Sequence, residues 1–132
     1  MGIDLGAPAL TPIYAFADGE ILHTADNKLP GDYGPTLVTG HRIGQIELFA
    51  LWGHLTRNTL DVSRTRKKFL AGDCLGHIGD TFENGGWPPH LHFQLCWERP
   101  NEANLPGVVH SKDHELALKM FPDPRIVLGP IY

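Results

Sequence analysis

Glycine and proline break the apolar stretches of this chain into short pieces. The sequence holds 15 glycines and 11 prolines among 132 residues, and 42% of its residues are hydrophobic. Short apolar runs bounded by turn-forming residues are typical of β-strands. The chain has enough apolar residues to bury a core. We therefore expect a mainly β fold with many short strands joined by turns.

Six segments have the composition of strands. They lie at 12–17, 20–24, 36–41, 46–52, 74–78 and 90–97. Asp18-Gly19 is typical of a tight hairpin turn between the first two segments. The remaining long connections are expected to be loops, at 25–35, 55–72 and 80–89.

One segment, 111–121, has the spacing of a helix. Ser111 and Asp113 are candidate N-caps, and apolar residues then recur at positions i and i+4. The sequence contains no internal repeat and no linker. We therefore expect residues 1–132 to form a single domain in which a short C-terminal helix follows the strands.

The charge balance argues against one class of partner. The chain has 11 lysine and arginine residues against 15 aspartate and glutamate residues, which gives a formal net charge of -4 at pH 7. A net acidic chain is not typical of a general nucleic-acid-binding protein. The one basic cluster, at 64–68, is short and is expected to be a solvated turn.

The cysteines and the chain start leave the compartment open. Cys74 and Cys96 are the only two cysteines, and either one bridge between them or two reduced thiols is compatible with their spacing. No apolar stretch is long enough to span a membrane. The start, MGIDLGAPAL, lacks the pattern of a signal peptide. We expect a cytoplasmic protein if the chain is complete, and an exported one if it is trimmed from a longer chain.

The segment WPPHLHFQL, residues 87–95, places two histidines one residue apart in a predicted strand. Successive side chains of a strand point to opposite faces, so His90 and His92 share one face while Leu91 and Phe93 share the other. Two buried imidazoles need partners for four ring nitrogens, and a metal ion satisfies one directly. The pair indicates a metal-binding or catalytic site. An exposed face that carries two histidines is the other interpretation.

Four segments of the chain occur in an order that indicates a family resemblance. MGIDLGAPALTPIYAFADGEI comes first, followed by LWGHLT, AGDCLGHIGD and PPHLHFQL. Together, over positions 1 to 97, they resemble the M23 family of zinc metallopeptidases, the lysostaphin-like (LytM) enzymes that cut peptidoglycan peptides. The resemblance implies a compact antiparallel β domain with a substrate groove over its central sheet. It also implies Zn²⁺ as cofactor and a peptide as substrate.

The resemblance assigns roles to four residues. Asp4 corresponds to the aspartate zinc ligand, and His92 to the histidine zinc ligand. His54 and His90 correspond to the two catalytic histidines that do not bind the metal. The remaining ligand of the family, a histidine four residues before the aspartate, would fall one residue before Met1. Three interpretations of the missing ligand remain. The chain is trimmed at its start, a residue outside the numbering completes the zinc site, or the chain is a degenerate member of the family without stable zinc. We favour trimming.

Three functions follow from these alternatives. The first is a zinc-dependent endopeptidase that hydrolyses peptide bonds in peptidoglycan cross-bridges or stem peptides. The second is a non-catalytic peptide-binding or assembly module on the same fold, and the third is a domain braced by structural zinc. His23 and His77 are expected to be structural, although either is a conceivable substitute for the missing ligand. Tyr33 and Trp87 are candidate groove-wall residues, with ordinary loop packing as the preferred interpretation.

Overall fold

The fold was analysed in a computed structural model that describes residues 2–65, 67–104 and 114–129. Within these ranges the chain forms eight strands and three helices. In chain order they are β1 (Ile3–Gly6), β2 (Pro12–Tyr14), β3 (Gly19–Asn27), β4 (Gly34–Ile43), β5 (Ile46–Gly53), α1 (Arg57–Thr65), β6 (Lys68–Phe69), β7 (Cys74–His77), β8 (His90–Cys96), α2 (His114–Met120) and α3 (Arg125–Leu128).

The strands form one large sheet and one small one. The large sheet has six strands in the order β1-β8-β5-β4-β3-β6, and β2 pairs with β7 in the small sheet. Every paired set of strands is antiparallel. The expectation of a mainly β, antiparallel fold is therefore confirmed. The order also places β1, from the start of the chain, beside β8, which carries both histidines of the HLH segment.

The large sheet is buried on both faces at its centre. On one face, side chains of β4, β5 and β8 form the main core with the small sheet and α1; its members include Leu37, Trp52, Phe93, Leu60 and Leu75. On the other face, Phe49 and Cys96 pack against Ala117 and Phe121 at the C-terminal helix. Leu91, Phe93 and Leu95 lie in the main core. His90, His92 and Gln94 therefore occupy the opposite face of β8, as the alternation of the strand requires.

The six predicted strands each overlap an observed strand, but two strands and two helices were not predicted. The hairpin expected at Asp18-Gly19 is wrong, because β2 pairs with β7 and β3 pairs with β4 and β6. The loop expected at 55–72 is wrong, because α1 and β6 lie within it. Asparagine and threonine residues give α1 a low intrinsic helix propensity. The helix is stabilised instead by tertiary packing, since Leu60 is only 4% exposed and belongs to the main core. The loop expected at 25–35 is shortened at both ends by β3 and β4.

The C-terminal helix is confirmed over α2, while residues 111–113 lie outside the described residues. Ala117 and Phe121 are buried against the sheet, whereas Leu116 is exposed. Among the described residues, no helix has the length and apolarity that crossing a membrane would require. At the end of the basic cluster, Lys67 and Lys68 are exposed, and Arg66 lies outside the described residues.

Candidate active site

Strand pairing brings the start of the chain to the HLH segment. In the β1–β8 register, Asp4 lies opposite His92 and Gly6 lies opposite His90. Asp4 Oδ1 is 2.9 Å from His92 Nδ1 and 3.7 Å from His90 Nε2. The side chain of Asp4 is 66% exposed, whereas those of His90 and His92 are 14% and 11% exposed. The carboxylate therefore forms the open side of a cluster whose two rings are largely enclosed.

His54 reaches the same cluster from the end of β5. It directly follows Gly53, which pairs with His92 in the β5–β8 register. The His54 ring centroid lies 4.3 Å from that of His90 and 6.3 Å from that of His92. The four residues that the sequence singled out, separated by up to 88 positions, thus lie together at one end of the sheet.

The backbone of His54 is in an unusual conformation. Its φ is 63°, in the left-handed region that residues other than glycine rarely adopt. Its N–H donates to the Tyr33 carbonyl at 2.7 Å, and its carbonyl accepts from the Gly79 N–H at 2.9 Å. Such a conformation persists when the surrounding structure holds it. These two bonds, together with burial of the side chain to 4% exposure, hold His54 in place.

Two of the histidines have their tautomer set by a main-chain carbonyl. His54 Nδ1 lies 2.8 Å from the Asn84 carbonyl oxygen, and His90 Nδ1 lies 2.7 Å from the Pro88 carbonyl oxygen. A carbonyl only accepts, so each Nδ1 carries a proton and donates it. When these rings are neutral, each Nε2 therefore has a lone pair that can accept a proton.

Burial keeps His54 neutral. Desolvation lowers the pKa of His54 below its usual 6.5, and the neighbouring rings of His90 and His92 lower it further. The Asn84 carbonyl and the Asp4 carboxylate act in the opposite direction but do not reverse the shift. At neutral pH the His54 ring is consequently a proton acceptor rather than a cation.

The hydrogen bonds of His92 leave a place for a metal ion beside its ring. His92 Nε2 lies 3.1 Å from Gln94 Oε1, an atom that can only accept. With the amide in this orientation, a neutral His92 is protonated on Nε2 and has a lone pair on Nδ1. That lone pair then faces Asp4 Oδ1 at 2.9 Å, and two electron-rich atoms at this separation need a proton or a metal ion between them. A carboxylate oxygen and an imidazole nitrogen are donors that zinc prefers, and a second hydrogen bond commonly orients such a histidine.

Asp4 and His92 are ligands of the kind that zinc prefers, and they supply two of the three protein ligands that a catalytic zinc site ordinarily has. In residues 2–65, 67–104 and 114–129, no group of three or more histidine, cysteine, aspartate or glutamate side chains is arranged to hold a metal. The two conceivable substitutes lie elsewhere. His23 is on β3, with Nε2 2.9 Å from the Pro100 carbonyl, and His77 pairs with Pro12 in the small sheet.

Two aromatic residues border the cluster. The Tyr33 ring lies 4.8 Å from the His92 ring and 5.9 Å from the His54 ring. Burial, assisted by the charges of Asp32 and Asp4, raises the pKa of Tyr33 to about 12, so its hydroxyl keeps its proton at neutral pH. The Trp87 ring lies 6.0 Å and 6.2 Å from those of His54 and His90 and is 41% exposed. Tyr33 therefore contacts the histidines of the cluster, whereas ordinary loop packing was the interpretation preferred from the sequence.

Sequence reasoning missed Gln94 and Asn84. Gln94 was within reach, because it shares a strand face with His92 two residues earlier. Asn84 gave no signal, since its contact with His54 joins two loops that are 30 residues apart.

Comparison with known proteins shows the family to which the chain is similar. The model of Peptidase family M23 matches residues 1–105. Cell division protein DipM of Caulobacter vibrioides is 32% identical over 94 residues, which are 71% of this chain and 14% of DipM. The DD-carboxypeptidase/endopeptidase Mpg of Neisseria meningitidis is 33% identical over 93 residues, which are 70% of this chain and 19% of Mpg. The chain thus spans less than a fifth of the length of these curated relatives.

A solved structure has the same fold. It is a mutant of the catalytic domain of the prophage-encoded M23 protein EnpA from Enterococcus faecalis. The TM-score is 0.57 at 24% sequence identity, and the match covers 83% of this chain and 77% of that one. At this identity the likeness concerns the fold alone.

Proposed function

The chain belongs to peptidase family M23, and on that basis we propose that it is a zinc-dependent endopeptidase domain. The observation that carries the proposal is the meeting of Asp4, His90 and His92, with Asp4 Oδ1 2.9 Å and 3.7 Å from the two ring nitrogens. His54 completes the set from a third part of the chain. A carboxylate oxygen and an imidazole nitrogen that face each other, beside two imidazoles of fixed orientation, are the groups that metal-assisted hydrolysis uses.

Asp4 and His92 are the proposed zinc ligands. Zinc, when bound, would supply a Lewis acid that polarises the scissile carbonyl and makes water more acidic. Gln94 holds His92 by accepting from Nε2, which leaves Nδ1 for the metal. The third ligand of the family pattern is a histidine four residues before Asp4, a position directly ahead of Met1.

His54 and His90 are the proposed proton-transfer groups. Each donates Nδ1–H to a main-chain carbonyl, so each offers Nε2 as the acceptor of a proton from the attacking water. The same nitrogen can then return the proton to the departing amine. Tyr33 lies beside both His54 and His92 and keeps its hydroxyl proton, so it can donate a hydrogen bond to an oxygen that gains negative charge.

The proposed substrate is an extended peptide lying in a groove over the central sheet, with peptidoglycan cross-bridges or stem peptides as its source. The name of Mpg, a DD-carboxypeptidase/endopeptidase, supports a peptide of this class. The exposed face of Trp87 offers an apolar surface for peptide backbone at the edge of the site. Peptidoglycan lies outside the cytoplasm, so this substrate requires an exported protein.

The alternative is a module on the same fold that binds peptide without cutting it. The observation that favours it is the ligand count, since Asp4 and His92 are two donors where catalytic zinc sites ordinarily have three from the protein. The two functions differ in one measurable property, the release of new peptide termini.

The test uses two versions of the chain, one with a histidine and one with an alanine added directly ahead of Met1. Each is incubated with zinc and purified peptidoglycan, and released fragments are identified by mass spectrometry. We expect fragments from the histidine version, and none when His54→Asn is introduced into it. Binding of peptidoglycan by both versions without any cleavage would identify the binding module instead.

A further inference from the structure

The connection between β7 and β8 is organised around one buried side chain, that of Asn84. Asn84 is fully buried. Its Nδ2 donates to the carbonyls of Gly79 at 3.2 Å and Trp87 at 2.9 Å, and its Oδ1 accepts from the Trp87 N–H at 2.9 Å. Two carbonyls require donors and an N–H requires an acceptor, so these contacts determine the orientation of the amide. The amide nitrogen and the amide oxygen of this side chain are both hydrogen-bonded within its own loop.

Hydrogen bonds link Asn84, Gly79 and His54 in a closed ring. The Gly79 N–H donates to the His54 carbonyl at 2.9 Å. The Gly79 carbonyl accepts from Asn84 Nδ2, and the Asn84 carbonyl accepts from His54 Nδ1 at 2.8 Å. One residue therefore holds both the ring of His54 and, through Gly79, its strained backbone.

The loop that precedes β4 packs closely against Asn84 and Gly85. A Cβ at Gly34, whose φ is 62°, would lie 2.6 Å from the carbonyl carbon of Asn84. A Cβ at Gly85 would collide with the Asp32 carbonyl oxygen, and the Gly31 N–H donates to the Gly85 carbonyl at 3.0 Å. The loop that precedes β4 is thus pressed directly against the residue that orients His54.

The position of the Asn84 carbonyl decides which nitrogen of His54 carries the proton. The tautomer of a neutral histidine is set by the hydrogen bond that one of its nitrogens makes. A carbonyl held 2.8 Å from Nδ1 keeps the proton there and leaves Nε2 as the acceptor. If the carbonyl moved away, the proton could transfer to Nε2, and the ring would present an N–H where the reaction needs a lone pair.

We propose that Asn84 is a positioning residue for His54, which fixes the Nδ1–H tautomer and the ring orientation by holding its own main-chain carbonyl in place. The catalytic consequence rests on the proposed function, whereas the effect on the tautomer does not. The hydrogen bonds of the Asn84 side chain go to Gly79 and Trp87, and its main-chain carbonyl alone accepts from the ring of His54. Its role is to hold the loop.

The direct test is Asn84→Asp in the 132-residue chain. The replacement has the same size, but it sets a carboxylate oxygen against the carbonyls of Gly79 and Trp87 in place of two N–H donors. Nitrogen NMR of histidine-labelled protein at pH 8 reports the tautomer of each ring. We expect His54 as Nδ1–H in the wild type and a mixture, or mainly Nε2–H, in the variant. Asn84→Ala, which removes the bonds without adding charge, provides the same readout if Asn84→Asp fails to fold.

The adjacent residue provides the control. Glu83 Oε1 accepts from the Arg57 N–H at 2.8 Å, a bond that ties the same loop to α1 rather than to His54. We expect Glu83→Ala to loosen the loop at α1 while leaving the His54 tautomer unchanged. A folded Asn84 variant that retains the wild-type tautomer would overturn the proposal, as would an equal change in Glu83→Ala.

The hydrolysis assay separates this proposal from the proposed function. In the version of the chain with the added histidine, we expect Asn84→Asp to lower kcat about 100-fold with little change in KM, because a displaced proton acceptor slows the chemical step. A changed tautomer together with a wild type that never hydrolyses peptide would support Asn84 as the positioning residue and reject the peptidase. An unchanged tautomer rejects the positioning role whatever the activity.

Discussion

At the scale of single residues, the site depends on a histidine in a backbone conformation that histidine rarely adopts. His54 has a φ of 63° directly after a strand ends, and its N–H, its carbonyl and its ring are each hydrogen-bonded. The strain is therefore offset by contacts from two loops. A residue that tolerates the left-handed region should replace His54 with less loss of stability than one that does not, and asparagine has that property.

His54→Asn separates the chemistry of this position from its role in folding. We expect the free energy of unfolding to change by about 1 kcal/mol or less. Hydrolysis should fall about 10²- to 10⁴-fold, because a general base is lost. Urea unfolding and the peptidoglycan assay measure the two effects. His77→Asn, a histidine of the small sheet, is the control and should retain activity; equal losses in both variants would contradict the assignment.

Gln94 gives a second prediction at this scale. Gln94→Leu removes the acceptor for His92 Nε2–H, so the lone pair on Nδ1 is less firmly directed toward Asp4. We expect zinc affinity to fall about 10- to 100-fold in titration calorimetry. Gln94→Glu retains an acceptor and should bind zinc at least as tightly as the wild type. Unchanged affinity in the leucine variant would mean that Gln94 does not orient the ligand.

At the scale of elements, the strands were predictable because their signals are local, and the parts that rely on distant contacts were not. Glycine and proline turns delimit the central strands in the sequence itself. β1 has only four residues with alternating partial exposure, and it is held by pairing with β8, which follows it by some 80 residues. The roles of Asp4, His54, His90 and His92 came from the resemblance. The bonds of Asn84 join loops that no local pattern connects.

The two glycines at the ends of β4 provide a matched test of one such contact. Gly34 and Gly44 both have positive φ, at 62° and 64°, but an added Cβ meets the backbone of Asn84 only at Gly34 and meets nothing within 4 Å at Gly44. We expect Gly44→Ala to cost about 1 kcal/mol of unfolding free energy for its φ alone. Gly34→Ala should cost about 3 kcal/mol or more. Equal losses of unfolding free energy in the two variants, measured by urea unfolding, would show that the loop carrying Asn84 shifts readily to accommodate the added Cβ.

At the scale of the whole molecule, two neutral buried histidines make stability depend on pH. Burial lowers the pKa of His41, as it does that of His54. His41 Nδ1 donates to the Asp18 carbonyl at 3.2 Å, and His41 Nε2 accepts from the Thr39 hydroxyl at 2.8 Å, while that hydroxyl accepts from Trp52 Nε1–H. The network is complete with a neutral ring, and a second proton on His41 would disturb it.

The sign of this dependence follows from the direction of the shift. Because the pKa of His41 is lower in the folded chain than the unfolded value of 6.5, the unfolded chain takes up a proton at the higher pH. The stability that neutral His41 provides is complete above pH 6.5 and is lost as the pH falls toward the folded pKa. We expect the free energy of unfolding to be lower at pH 5.5 than at pH 7.5, and His41→Gln to reduce that difference. An identical difference in the variant would contradict this origin.

The proposed function requires that distant parts of the chain meet to hold one zinc ion. Its most direct test is the zinc content of the purified chain carrying a histidine directly ahead of Met1, measured by plasma mass spectrometry beside the Asp4→Ala variant. We predict about one zinc per chain, lost when Asp4 is replaced. A protein without zinc, or an Asp4→Ala variant with as much zinc as its parent, would contradict the proposed metal site.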